Sequence, residues 1–179
     1  PGVRTRMGLD YGTAEKLGEI YRRHEGEFGK VAQKLLALTF VELGFRLAEE
    51  RAVQGVDIDI QGANGEKLSF EVKTSQGSQV TVGEKDVRGL ESRREADGYE
   101  TFFAFLFRPH YLAEGWIIVP ASKLKKGSHH AMRLATMDDG SLSCEVNARF
   151  PRVVERVYED LMSCDKGRAL GMMRRKHGI

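Results

Sequence analysis

The run Thr101-Phe102-Phe103-Ala104-Phe105-Leu106-Phe107 constrains the fold more than any other part of this sequence. Successive strand side chains point to opposite faces, so a strand that is apolar on both must be covered on both. Its density leaves no polar face, which makes it core and not a platform for stacking bases. Arg108-Pro109-His110 ends it, and Trp116-Ile117-Ile118-Val119, closed by Pro120, reads as the next strand. The cover must come from helices. Leu17, Ile20 and Tyr21 mark a short one from Tyr11 to His24. Phe28, Val31, Ala32, Leu35 and Leu38 recur at helical spacing between Glu27 and Leu43, with Gly44 as the natural stop. Glu84 to Ala96 reads as a third helix, turning Val87 and Leu90 inward. The expectation is an α/β chain, with a mixed sheet flanked by helices and a strand–helix–strand crossover through that third helix.

Upstream of the crossover, Val56, Ile58 and Ile60 alternate with Asp57 and Asp59, and Phe70 and Val72 alternate with Glu71 and Lys73. Asn64-Gly65 between them is a hairpin turn dipeptide. Folded so, the hairpin shares one face among the acids and the lysine. Like charges on neighbouring strands repel, and a partly buried carboxylate pair takes up a proton or holds a cation. Two carboxylates and a nearby backbone carbonyl make the oxygen-rich site that Mg²⁺ prefers, with water completing it. A lysine beside one ligand can orient or deprotonate a water, or neutralise charge building on a phosphate. In outline this is a site for phosphodiester hydrolysis.

Asp57 followed by Glu71-Val72-Lys73 resembles the Asp…Glu-x-Lys motif of the PD-(D/E)xK nuclease superfamily, which covers restriction endonucleases, archaeal Holliday-junction resolvases and many repair nucleases. The proline that often precedes the aspartate is Val56 here. The resemblance implies a restriction-endonuclease-like core over about residues 27–120, with additions over 121–179, as one nuclease domain. It implies Asp57, Glu71 and the Val72 backbone carbonyl as metal ligands, Lys73 acting on the attacking water, and Mg²⁺ as cofactor with Mn²⁺ able to substitute. Asp59, one pleat along on the same face, is the rival for the motif aspartate. Many members also bring a glutamate from the first helix to the metal; Glu27 is the candidate, with Gln33 the alternative. DNA, duplex or branched, is the implied partner, and a homodimer the implied assembly, because two strands must be cut.

Further contacts are expected around this core. Ser75, Gln76 and Ser78 form a polar loop suited to phosphate oxygens. Arg88, Arg93 and Arg94 either meet a phosphate backbone or form i,i+4 pairs with Glu84, Asp86, Glu91 and Glu95. Lys123, Lys125 and Lys126, with His129 and His130, make a basic stretch suited to phosphate. Met132–Met137 and Leu142–Val146, joined by Asp138-Asp139-Gly140, read as an extra hairpin, and Pro151 as the start of a C-terminal helix carrying Val153, Val154, Val157, Tyr158 and Leu161. The basic tail at Arg174-Arg175-Lys176-His177 reads as a frayed end, and Pro1 to Leu9 as a loose lead-in with Arg4 and Arg6.

Charge narrows the reading only a little. A formal net charge of +2 leaves any nucleic-acid affinity to local patches. No apolar run approaches a membrane span and no signal-peptide pattern opens the sequence, so a cytoplasmic protein without membrane contact is expected. Cys144 and Cys164 read as free buried thiols. Two function classes stand: a Mg²⁺-dependent DNA endonuclease, structure-selective like a resolvase or sequence-specific like a restriction enzyme, and a non-catalytic DNA-binding module on the same fold.

Overall fold

The computed structural model describes residues 8–48, 56–107 and 115–179. Arg4 and Arg6, Gly55, and Arg108-Pro109-His110 lie outside them. Two helices open the chain, α1 (Tyr11–Arg23) and α2 (Phe28–Glu42), joined by a 3-10 turn at Glu25–Glu27. Asp10 caps α1 by accepting the N–H of Thr13. Then follow β1 (Arg46–Leu47), β2 (Ile58–Gln61), β3 (Lys67–Ser75), β4 (Gln79–Val82), α3 (Glu84–Asp97), β5 (Glu100–Phe107) and β6 (Ile117–Pro120). The order across the main sheet is β1-β2-β3-β5-β6. β3 and β5 are parallel and the other pairings antiparallel, so the sheet is mixed. The crossover from β3 to β5 contains α3, as expected.

The aromatic strand β5 divides the core. Phe102, Ala104 and Leu106 face the layer built by α1, α2 and the C-terminal helices. Phe103, Phe105 and Phe107 face the layer that includes Leu90 of α3. Phe40, Phe70 and Phe102 form a ring stack from α2 through β3 to β5, with centroids 4.7 and 5.4 Å apart. Burying these rings holds α2 against the sheet at the strand that carries Glu71.

Beyond β6 the chain departs from the expected hairpin. β7 (Gly127–His130) pairs antiparallel with β4 in a separate two-stranded sheet. Residues 132–136 and 142–146 are helical, in α4 (Ala131–Thr136) and α5 (Gly140–Ser163), and Met137 is the C-cap of α4. Asp139 is an N-cap and not a turn residue, because its carboxylate accepts the N–H of Leu142 at 3.0 Å. Val146, Phe150, Val153, Val154, Val157 and Leu161 continue one buried stripe along α5, and Pro151 lies inside the helix instead of starting it. The tail is not frayed: α6 (Ala169–His177) buries Ala169, Met172 and Met173, and Lys176 and His177 hold Asp160 at 2.8 Å each. Both cysteines are free and partly buried. Among the described residues no helix is long and apolar enough to cross a membrane.

Candidate active site

The site lies where β2 parts from β3. Pairing in the hairpin begins with Ile58 opposite Phe70, while β3 stays paired with β5 as far as Ser75 opposite Phe107. Asp57 therefore stands at the mouth of the gap. Its N–H donates to the Phe70 carbonyl at 2.9 Å, and its carboxylate accepts the Val72 N–H at 2.7 Å. The N–H and C=O of one strand residue point to the same edge, so the Val72 carbonyl faces this gap too.

Glu71 and Lys73 alternate with the buried Phe70 and so project from the opposite face, beneath α3. Lys73 Nζ lies 3.2 Å from Glu71 and 2.9 Å from Asp86, near the start of α3. Asp86 also accepts the Gly83 N–H at 2.8 Å, which ties the N-cap residue to the first turn of the helix. From α2, Gln33 donates to the Asp57 carbonyl at 3.0 Å.

Electrostatics separate the roles. Burial pushes the Glu71 carboxyl up to about 8, with Asp57 and Asp86 adding to it and Lys73 opposing. Burial also raises Asp57, against the Val72 N–H and the charges of Lys73 and Lys30. For Lys73, burial alone would favour loss of the proton, but Asp86 and Glu71 outweigh it and hold the ammonium above its usual range. Burial would likewise raise Asp86, yet Lys73 and the Gly83 N–H keep it low. Glu71 and Asp57 are thus the strained acids, and Lys73 with Asp86 the settled ion pair.

These residues fit a divalent cation. Glu71 Oε2 is buried and has no hydrogen-bond partner, the only carboxylate oxygen in that state among the described residues. A buried oxygen left so costs about 1–3 kcal/mol. Two carboxylates and a carbonyl suit Mg²⁺, which keeps several waters. Among the described residues no three or more His, Cys, Asp and Glu side chains converge as ligands, which sets the site apart from an all-protein cage of the zinc type.

The other candidates are placed elsewhere. Asp59 accepts the Ser69 hydroxyl at 2.6 Å and pairs with Arg93, which also binds Asp97 at 2.6 Å and stacks 4.1 Å from the Tyr99 ring centre. Glu27 turns toward α6, where it accepts the Ala169 N–H at 3.4 Å, and lies 3.8 Å from His24. Ser75 bonds the Gln79 carbonyl, Gln76 reaches the Tyr21 hydroxyl, and the Ser78 carbonyl accepts the Ala131 N–H. Arg88 pairs with Glu84 at 2.8 Å on the exposed side of α3. Lys123, Lys125 and Lys126 are exposed between β6 and β7. His129 Nε2 lies 2.7 Å from the Lys125 carbonyl, while His130 caps α4. Sequence reasoning treated Asp86 as one of several surface acids. Its only local signal was the three-residue spacing from Gly83 at a helix start.

No family model matches this chain, and no curated protein does. Among solved structures it is similar to that of Archaeoglobus fulgidus Hjc, a Holliday junction resolvase from an archaeal hyperthermophile. The TM-score is 0.53 at 16% identity, over 64% of this chain and 94% of that one. The five-stranded mixed sheet flanked by helices is therefore a restriction-endonuclease-like fold, shared with that resolvase.

Proposed function

We propose that this chain is a divalent-metal-dependent DNA endonuclease selective for branched DNA. The observation that carries the reading is the buried, partnerless Glu71 Oε2 beside a second strained carboxylate, Asp57. Asp57, Glu71 and the Val72 carbonyl would hold Mg²⁺, or Mn²⁺ in its place. Bound there, the cation would supply positive charge against the developing phosphorane and make water more acidic.

The chain's own groups do the rest. Lys73 keeps its proton, so it acts as a hydrogen-bond donor and a positive charge toward a phosphate oxygen or the attacking water. It does not act as a base while Asp86 and Glu71 hold it. Asp86 positions Lys73 by anchoring it to α3, and Gln33 fixes the backbone at Asp57. Lys123 and Lys125 are exposed and open to phosphate, Lys126 pairs with Glu84 at 4.0 Å, and the side chains of Ser75 and Gln76 are engaged within the chain. The likeness to a Holliday junction resolvase favours structure selectivity, and cutting two strands favours a homodimer.

A second reading has one observation behind it. Lys73, Glu71 and Asp86 already form a closed ion-pair network, as a non-catalytic DNA-binding module would also allow. Cleavage of a labelled four-way junction and of linear plasmid duplex, by wild type and Glu71→Gln with Mg²⁺ or EDTA, separates these. Discrete junction cuts that need both Mg²⁺ and Glu71 support the proposal. A fixed plasmid band pattern moves it to a restriction-type enzyme. DNA binding without metal-dependent cutting leaves the module.

A further inference from the structure

We propose that the groove between α2 and α6 is the track along which the phosphodiester backbone reaches the Asp57–Glu71 centre; this rests on the nuclease reading above and names where the substrate lies. The groove encloses about 400 Å³ and is lined by Lys30, Gln33 and Lys34 from α2 and by Leu170, Gly171 and Arg174 from α6, with Ile179 closing it. Three of these side chains are cationic and none is acidic. That bias is local, since the whole chain carries a net charge of only +2. A larger groove of about 710 Å³ elsewhere mixes Asp10, Glu42 and Glu155 with Lys16, Arg149, Arg152 and Arg156. Surface composition alone therefore does not produce a wholly basic groove.

Position ties it to the site. Gln33 lines the groove and at the same time donates to the Asp57 carbonyl. Lys30 acts on the Asp57 carboxylate from the same helix. Lys30 is exposed in the first turn of α2, three residues after the N-cap Glu27, whose carboxylate is turned toward α6. Lys30 and Lys34 lie one turn apart and both line the groove, so an anion whose charge repeats can meet both. The backbone of a nucleic acid is the anion whose charges repeat along a groove.

α6 completes the track because it is fixed at both ends. Glu27 accepts the Ala169 N–H at its start, and Asp160 holds Lys176 and His177 at its finish. With Ala169, Met172 and Met173 buried, Arg174 faces the groove and Arg175 folds back over Gly171, where a methyl group would sit 3.3 Å from its Nη1. Complementing the helix C-terminus explains cations in the last turn. It does not explain why Arg174 shares with Lys30 and Lys34 a groove whose wall residue Gln33 holds the Asp57 carbonyl.

The test is the salt dependence of binding. Fluorescence anisotropy of a labelled four-way junction and a duplex, in EDTA over a range of NaCl, would be measured for wild type and Lys34→Gln/Arg174→Gln. Arg174→Glu serves as a charge-reversed second variant, and Arg149→Gln/Arg152→Gln, on the mixed groove, as control. Each lost phosphate contact lowers the slope of log K against log salt by about 0.9. The expected result is a slope shallower by about 2 for the double variant, weaker binding still for Arg174→Glu, and the wild-type slope for the control. Wild-type binding and slope in both groove variants, with unchanged melting, would overturn the track and leave the nuclease reading intact. Absence of DNA binding by wild type overturns both.

Discussion

The carboxylate of Asp57 accepts the main-chain N–H of Val72 at 2.7 Å, so the residue that enters β2 is fastened to the residue between Glu71 and Lys73. One oxygen of Asp57 is thereby fixed in direction, and the carboxylate faces the edge that carries the Val72 carbonyl. A hydrogen bond made for folding thus also aims the carboxylate proposed as a metal ligand.

This contact separates the two aspartates of the hairpin. Asp57→Asn keeps an acceptor for Val72 and should fold with near wild-type stability, yet lose cleavage by at least about 100-fold, as expected when a charge acting on the transition state is removed. Asp59→Asn breaks the pair with Arg93 and should lower stability by about 1–3 kcal/mol while cleavage by the folded fraction persists. Urea unfolding and junction cleavage on both variants check this. Reversed cleavage results would make Asp59 the motif residue.

Glu71 carries an unfavourable charge in the metal-free protein, since burial and two acidic neighbours oppose its ionisation. Glu71→Gln should therefore raise the melting temperature in EDTA at mildly alkaline pH by roughly 5 °C, on the order of 1–2 kcal/mol at about 2–4 °C per kcal/mol. Added Mg²⁺ should stabilise wild type and have little effect on the variant. Equal Mg²⁺ stabilisation of both would remove Glu71 as a ligand.

Asp10 gives a pH signature away from the site. The Thr13 N–H, first among its partners, lowers the Asp10 carboxyl from its usual 3.8. A depressed carboxylate contributes stability above its unfolded value, and that contribution fades as the pH falls through the lower folded value. Asp10→Ala should cost about 1 kcal/mol near neutral pH, as for other N-caps, and the difference should shrink toward pH 3. A difference independent of pH would mean that the cap works without its charge.

How much of this was legible depended on whether the signal was local. Phe102 to Phe107 announced a strand covered on both faces because every position is apolar. Asp57, Glu71 and Lys73 showed in the alternation of the hairpin. Asp138-Asp139-Gly140 did not resolve, because Asp-Gly serves a turn and Asp serves an N-cap; only the apolar stripe continuing through Pro151 to Leu161 decides for a helix. Asp86 looked like any acid on a charged helix until the crossover set it opposite Lys73. The basic tail looked frayed because its anchors, Glu27 and Asp160, are distant from it in sequence or visible only once the helices pack. Lys30 was passed over because a lysine on a helix usually faces water, and nothing local revealed that its neighbour across the groove is Arg174.

The ion-pair network around Lys73 makes the sharpest energetic prediction. At alkaline pH, where Glu71 ionises, Lys73→Ala leaves Glu71 and Asp86 facing one another with no cation between them, and should destabilise the metal-free protein by about 1–3 kcal/mol as well as abolish cleavage. If repulsion is the cause, adding Glu71→Gln should recover most of that loss, although it cannot restore activity. The double-mutant cycle then has a coupling energy of about 1 kcal/mol or more, within the range for residues in one network. Denaturant titration of the four proteins measures it, with EDTA present so that bound metal does not contribute. Additive effects would instead assign the loss to the packing of the Lys73 stem against its neighbours. Lys73 would then hold its place by contact, and the charge balance proposed for the site would have to be redrawn around Asp57 and Lys30.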